Sequence, residues 1–397
     1  MDSSNCLNIL NRLPKDTLKE AIMMSTHEEE IRFQQFFNQQ TNIKMLELSE
    51  NSQVNFDHLR LEHLKLYPNC INHSSILRHQ PRLRTIDFSN YLIDDDTFTA
   101  ICELRNLEAA KMRVDLIIPC HVFESLKNLT HLKELQLKSR EIHQCNHLPE
   151  LSRMHLKIEK LTVLYNEEKI PPEFFIQLSQ NFRKLKQIRI DDQPIVIINK
   201  ILENLPNMES IVFDCYHWST EENTLVIREN LRHEKLKEIV VTNNYDDSAV
   251  TTRSLLTLLN ACPNLERIML SKLVEVYHED LQQIINDHPK LTHLSLRLNT
   301  FYFQYETIDL IRTAVSRLQF IELKGLDRLT YFQTESSLKD LFEDEFNNIR
   351  FKLFKDYTLN NDGNDWGRWD FIYKGELIMK KRNVPDWSQE IYKSQLL

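Results

Sequence analysis

Any chemistry in this chain must come from its histidines, cysteines and acids, and spacing limits what they can do. His143 and His147 stand four apart with Cys145 between them, all donor types that zinc accepts. A zinc site needs a fourth ligand in a tetrahedral arrangement, and no matching half follows nearby. The stretch therefore predicts a polar loop between elements. His27-Glu28-Glu29-Glu30 and His278-Glu279 miss the H-E-x-x-H spacing that sets two imidazoles on one helical face. Phosphate loops, dinucleotide loops and nucleophile elbows all need closely spaced glycines. The four glycines, Gly325, Gly363, Gly367 and Gly375, form none of these. The sequence predicts no catalytic residue, no metal site and no cofactor, so the chain does not read as an enzyme.

What remains is recognition chemistry. Two aromatic groups, Tyr216-His217-Trp218 and Phe301-Tyr302-Phe303, supply residue types common at the centre of protein interfaces. Their use depends on the elements that carry them. Those elements announce themselves between Ala261 and Asn299, where Leu265, Ile268 and Leu270 form one L-x-x-L-x-L unit. Leu291, Leu294 and Leu296 form the next, with a helical pattern through Leu281, Ile284 and Ile285 between them. This is a leucine-rich repeat, a strand out and a helix back.

Units of this kind start at Leu18, Ile43, Leu61, Leu83, Leu107, Leu132, Ile158, Leu185, Met208, Leu236, Leu265, Leu291 and Leu318. The mean step is about 25 residues, inside the range of roughly 20–29 for the class. The units at Leu18 and Leu107 are the weakest, with alanine in the fourth position. The predicted fold is α/β: a leucine-rich-repeat solenoid, or horseshoe, with a concave parallel β-sheet and convex helices. Helix starts are expected at Asp94-Asp95-Asp96 and Pro171-Pro172, with further helices over Thr251–Leu259 and Asp280–Ile285. Asparagines three beyond the sixth position, at Asn51, Asn69, Asn166, Asn244 and Asn299, are expected in turns.

A strand alternates faces, so the first, fourth and sixth residues point inward and the residue before the sixth points away from the helices. From Glu47 to Arg189 that outward row reads Glu47, Lys65, Asp87, Lys111, Gln136, Thr162, Arg189, polar throughout. Then three strands in turn present Val212, Val240 and Met269. Neighbouring strands lie ~4.8 Å apart, so the three are expected to form one exposed apolar patch. Glu238 and Arg267 would frame it, with Trp218 and Tyr302 in nearby loops. These seven residues are the candidate protein-binding site, with a protein or peptide partner on the concave face.

Composition narrows the class further. A net charge of −9 argues against nucleic acid and anionic membrane as partners, since both call for a basic surface. Seven scattered cysteines with no C-x-x-C pair fit a reduced compartment, cytoplasmic or nuclear. No apolar run is long enough for a membrane span or signal sequence. The rhythm sets three expected segments: a degenerate N-terminal repeat or cap over 1–40, the solenoid over 41–335, and a C-terminal cap over 336–397. In the cap, Phe351 and Leu353, then Phe371 and Tyr373, alternate around Asn360-Asn361-Asp362-Gly363, which predicts a β-hairpin or meander.

The helix-to-strand phrase Cys262-Pro263-Asn264-Leu265 carries a family resemblance. Partial copies stand at Gln80-Pro81-Arg82-Leu83, Leu205-Pro206-Asn207-Met208 and His288-Pro289-Lys290-Leu291. The repeats over roughly 10–335 resemble those of F-box/leucine-rich-repeat (RNI-like) proteins, the substrate-receptor arms of SCF-type ubiquitin ligases. The resemblance implies a substrate-recognition role. It also implies contact with a cullin-ligase adaptor if an F-box lies upstream. The F-box itself is not legible: Arg12-Leu13-Pro14-Lys15 matches only its opening, and no tryptophan precedes Trp218. The alternative is a free-standing leucine-rich-repeat scaffold unrelated to ubiquitination.

Overall fold

The computed structural model describes residues 14–24, 30–49, 55–67, 73–114, 118–139, 147–165, 170–194, 196–215, 231–243, 252–273, 276–302, 305–314, 316–327, 348–357 and 371–380. The chain forms two compact units, Met1–Asp191 and Asp192–Leu397.

Unit 1 is built on β1 (Glu20–Met24), β2 (Met45–Ser49), β3 (His63–Leu66), β4 (Thr85–Leu92), β5 (Ala109–Arg113), β6 (Glu134–Ser139), β7 (Lys160–Tyr165) and β8 (Gln187–Gln193). They lie side by side in chain order, all parallel. Between them run α1 (Glu30–Gln39), α2 (His73–Arg78), α3 (Asp95–Cys102), α4 (Cys120–Phe123) with a 3₁₀ turn at Glu124–Asn128, α5 (His147–Arg153) and α6 (Pro172–Asn181). Unit 2 continues with α7 (Val196–Asn204), β9 (Ser210–Cys215), β10 (Glu238–Asn243), α8 (Thr252–Asn260), β11 (Arg267–Leu273), α9 (His278–Asp287), β12 (His293–Tyr302), α10 (Tyr305–Ala314) and β13 (Phe320–Asp327). Its strands β9 to β13 are likewise parallel and in order. This is the α/β leucine-rich-repeat solenoid that the periodicity predicts.

The register follows the sequence unit by unit. Leu46 aligns with Leu64, Ile86 with Ala110 and Leu135 with Leu161. Ile239 aligns with Ile268 and Leu294 with Ile321. The fourth- and sixth-position side chains from Leu46 onward are buried, and they form the core between strands and helices. Even the weak unit at Leu107 keeps its place, with Ala110 and Met112 fully buried. A one-residue slip would turn every such residue to the other face, which is why this pattern specifies register strongly.

Most steps also repeat one backbone device. The carbonyl of the second residue in a unit accepts two N–H groups from the next unit: Glu108 from Lys133 and Glu134, Glu266 from Thr292 and His293. The position that holds Cys262 is buried in repeat after repeat. Where it is polar, its side chain bonds the backbone instead. Gln80 donates to the Phe56 carbonyl and accepts from Leu61, and His288 contacts the Leu259 carbonyl at 3.0 Å. These bonds satisfy buried groups that would otherwise cost free energy.

Helix starts behave as their residues require. The Asp94 carboxylate accepts from Thr97 N at 2.8 Å at the head of α3, beside Asp95 and Asp96. Pro172 opens α6, where a missing N–H costs nothing. At the far end β14 (Asn348–Tyr357) and β15 (Phe371–Lys380) form the antiparallel hairpin cap, but in the order β13-β15-β14. The later strand inserts next to β13, so the cap is a hairpin rather than a sequential meander.

One expectation needs correction. Asn299 and the Phe301-Tyr302 pair are placed by sequence in a turn and loop. They instead belong to the ten-residue β12, with Phe301 opposite Leu326 and Tyr302 opposite Asp327 after a register shift. Strand-favouring Thr300, Phe301 and Tyr302 find a partner because β13 runs on to Asp327. Asn51, Asn69, Asn166 and Asn244 lie outside the described residues.

Candidate functional site

The face of the sheet away from the helices in unit 1 carries the outward row intact. Glu47 aligns with Lys65, Lys65 with Asp87, Asp87 with Lys111 and Lys111 with Gln136. Opposite charges therefore meet on adjacent strands: Lys65 Nζ lies 3.1 Å from Glu47 Oε1, and Lys111 Nζ 3.7 Å from Asp87 Oδ2. Beyond the row stands Tyr67, immediately after the sixth position of its unit. Its hydroxyl donates to Glu47 Oε1 at 2.9 Å, and Lys65 Nζ sits 4.9 Å from the ring centroid. Burial alone would lower the Lys65 pKa. Hydrogen bonding to Tyr67 and Glu47 outweighs it and holds the ammonium above its ordinary value. The result is a half-buried aromatic ring fixed by two charges, with paired charges on the strands beyond. Sequence reasoning passed over Tyr67 because it compared only one outward row. Comparing the residue after the sixth position, strand by strand, would have found it.

A second ladder runs along the strand starts, one residue per strand and alternating in sign. Lys44 pairs with Glu62 at 2.5 Å, Lys133 with Glu108 at 2.7 Å, and Lys186 with Glu159 at 3.6 Å. A groove of about 360 Å³ opens there among Glu62, Arg82, Arg84, Asn106, Glu108 and His131. Both of its acids are paired, Glu62 with Lys44 and Glu108 with Arg84 and Lys133. These cations hold each carboxyl below the ordinary range. Neither acid can serve as a proton donor near neutral pH.

In unit 2 the register of the candidate patch is as expected: Val212 faces Val240, and Val240 faces Met269. Its exposure is not. Val240 and Met269 are both 0% exposed and Val212 is half-buried, and the row continues with Ser295 at 0% and Glu322 at 1%. An uncovered strand face leaves such side chains partly in water, as Lys65 and Lys111 are. The apolar residues here are therefore interior, and the row is closed in this form. Glu238 and Arg267 do lie together beside it, with Arg267 Nε donating to Glu238 Oε1 at 3.0 Å and Ser210 Oγ to Glu238 Oε2 at 2.5 Å. Trp218 and the side chain of Tyr302 lie outside the described residues.

Two polar features accompany this row. Glu322 accepts from Arg297 Nε at 3.0 Å, from Nη2 at 2.8 Å, and from Ser295 Oγ. His293, stacked 6.2 Å from Phe320, has its pKa pushed down to about 4. Burial is the main cause and the Arg267 charge adds to it, while Glu238 opposes.

The other candidates resolve as structure. His147 stacks on Phe123 with ring centroids 4.6 Å apart, and burial holds its pKa down. His143 and Cys145 lie outside the described residues. Among the described residues no group of three histidines, cysteines or acids is placed to hold a metal. Nor is any helix among them long and apolar enough to cross a membrane. Burial pushes the Cys102 and Cys262 thiols up to about 12, which makes them packing residues rather than nucleophiles.

No protein-family model matches this chain, and no curated protein matches it. Among solved structures it is similar to one described as "Crystal structure of TLR13-ssRNA13 complex", at 14% sequence identity and a TM-score of 0.49. The match covers 83% of this chain and 52% of that one, so the chain spans about half the other's length.

Proposed function

We propose that this chain is a non-catalytic protein-binding module that recognises its partner on the strand face of unit 1. The observation that supports this most is the Tyr67 cluster. An aromatic ring held between Glu47 and Lys65 is a preorganised anchor, and aromatic anchors dominate interface energetics. The registered charges Glu47, Lys65, Asp87 and Lys111 would select a partner with the complementary pattern and speed its approach. The parallel strands hold these groups at fixed spacing, so little ordering is left for binding to impose. Docking across Val212, Val240 and Met269, the site favoured by sequence, would first require that row to be uncovered.

The test is affinity capture read by mass spectrometry with wild type, Tyr67→Ala and Lys65→Glu/Lys111→Glu. A prey present with wild type and lost from both variants, at unchanged circular-dichroism melts, supports the reading. A prey retained by both variants contradicts it.

A more specific reading is that the module is the substrate-recognition arm of an SCF-type ubiquitin ligase or a derivative of one, rather than a free-standing scaffold. The support is the phrase Cys262-Pro263-Asn264-Leu265, whose Cys262 and Leu265 are fully buried between α8 and β11. A cullin-ligase adaptor among the captured proteins would favour this reading. Its absence from a capture that yields the partner would favour the scaffold.

A further inference from the structure

The strand-start edge of unit 1 carries charge that its own packing does not use. Each repeat turns there from its helical side into its strand through two residues before the first position of the unit and one after it. From the unit at Ile43 to the unit at Leu185 these turn residues all lie among the described residues. They include ten lysines and arginines against three acids, in a chain of net charge −9. The acids are all paired: Glu62 with Lys44, Glu108 with Arg84 and Lys133, and Glu159 with Lys186. Six cations are left over, Arg60, Arg82, Arg105, Lys157, Arg183 and Lys184. All six are exposed, and among the described residues none of their side chains has a hydrogen-bond or ion-pair partner. Cations also suit helix C-termini, whose dipole favours them. Unit 2 has the same turns after its helices, yet its four cations there are all engaged. Lys235 is held by Asn207, Lys237 by Glu209, Lys290 by Asn264, and Arg317 by the Ile285 and His288 carbonyls. Helix ends alone therefore do not call for a row of free cations.

The row includes a receptacle. The groove of about 360 Å³ is lined by Arg82, Asn106 and His131, which hold the same turn position in three successive repeats. Asn106 Nδ2 donates to the Pro81 carbonyl at 3.0 Å, and His131 Nδ1 donates to the Arg105 carbonyl at 3.0 Å, so the frame around Arg82 is held by the backbone. A free guanidinium there suits a carboxylate, which its planar fork can take through two hydrogen bonds. None of the turn residues on this edge is aromatic, so nucleic-acid bases have nothing to stack on. Glu62, Glu108 and Glu159 also interrupt the positive track that a phosphate backbone follows. We propose that the strand-start edge of unit 1 binds an extended acidic segment of a partner protein, with one carboxylate seated on Arg82. Five strand spacings of ~4.8 Å separate the unit of Arg60 from that of Lys184, roughly 24 Å, the reach of about seven or eight extended residues. The edge needs nothing from the Tyr67 cluster, so each site can fail without the other.

The probe is a fluorescein-labelled ten-residue peptide of alternating glutamate and serine, titrated against the full chain by fluorescence anisotropy at low salt. Controls are the lysine–serine peptide, a ten-nucleotide oligouridine RNA and phosphatidylserine vesicles. Wild type should prefer the acidic peptide to each control, on the order of tenfold. Arg82→Ser should weaken that binding about threefold, the scale of one exposed charge pair. Arg60→Glu/Arg82→Glu/Lys157→Glu should weaken it more than about thirtyfold. All three side chains are exposed, so the circular-dichroism melt should stay as in wild type. Tyr67→Ala and the unit 2 variant Lys235→Glu/Lys290→Glu should bind the peptide as wild type does. No binding of the acidic peptide, or binding unaffected by the triple variant, would overturn the proposal. Oligouridine or vesicles bound as tightly as the peptide, and lost in the triple variant, would assign the edge to phosphate groups and overturn it too.

Discussion

Replacing Glu322 with glutamine removes one charge from a buried pair and changes little else. Glu322 is 1% exposed, and it holds Arg297 through two hydrogen bonds and Ser295 through one. The variant leaves the guanidinium facing a neutral amide in a place with little water. Breaking a buried pair from one side costs about 3–5 kcal/mol. Arg297 is 19% exposed, so partial solvation trims the loss toward the lower end, roughly 3 kcal/mol. Replacing both partners, Arg297→Met/Glu322→Leu, leaves no buried charge and should cost about 1 kcal/mol or less. Urea unfolding followed by far-ultraviolet circular dichroism reads the loss. With a slope of roughly 2–3 kcal/mol per molar, Glu322→Gln should lower the midpoint by about 1–1.5 M. An unchanged midpoint, or a double variant less stable than the single one, would refute the reasoning.

Leu294 is 1% exposed in the fourth-position core, and Leu294→Ala should cost about 2–5 kcal/mol by the same urea measurement. Val240→Asp/Met269→Asp puts carboxylates at two fully buried positions, so unit 2 should lose more than about 4 kcal/mol and unfold rather than only lose a partner. His293 titrates near 4 when folded and near 6.5 when unfolded, so acid favours the unfolded chain. Its contribution is complete above pH 6.5 and falls as pH drops toward 4. The thermal midpoint of wild type should therefore fall more between pH 7 and 5 than that of His293→Gln. In the native protein a thiol reagent should label the exposed Cys120 well before Cys102 and Cys262, as peptide mapping would show.

The strands were legible because their signal repeats. Period-two alternation inside each unit fixes the inward face, and recurrence of the unit fixes which residues are neighbours. Even Ala21 and Ala110 take their places by register with better-formed units. Exposure was not legible. An apolar residue in the outward row reads the same whether a partner or the chain's own mass lies over it, and Val240 and Met269 prove to be interior. Ser295 and Glu322, polar by sequence, are equally buried because Arg297 and a hydroxyl supply what water would have. Tyr67 was missed because only the row before the sixth position was compared, and it stands in the row after it. The length of β12 depended on a partner strand that its own residues do not encode.

The central claim is that recognition takes place on the strand face of unit 1. Amide hydrogen exchange, read by mass spectrometry on the chain alone and with its captured partner, tests it most directly. Binding at that face should slow exchange in β2 to β5 and the residues that follow them, including Tyr67, and leave the helices α1 to α3 unchanged. Protection that fell on those helices, or on β9 to β13 alone, would contradict the account.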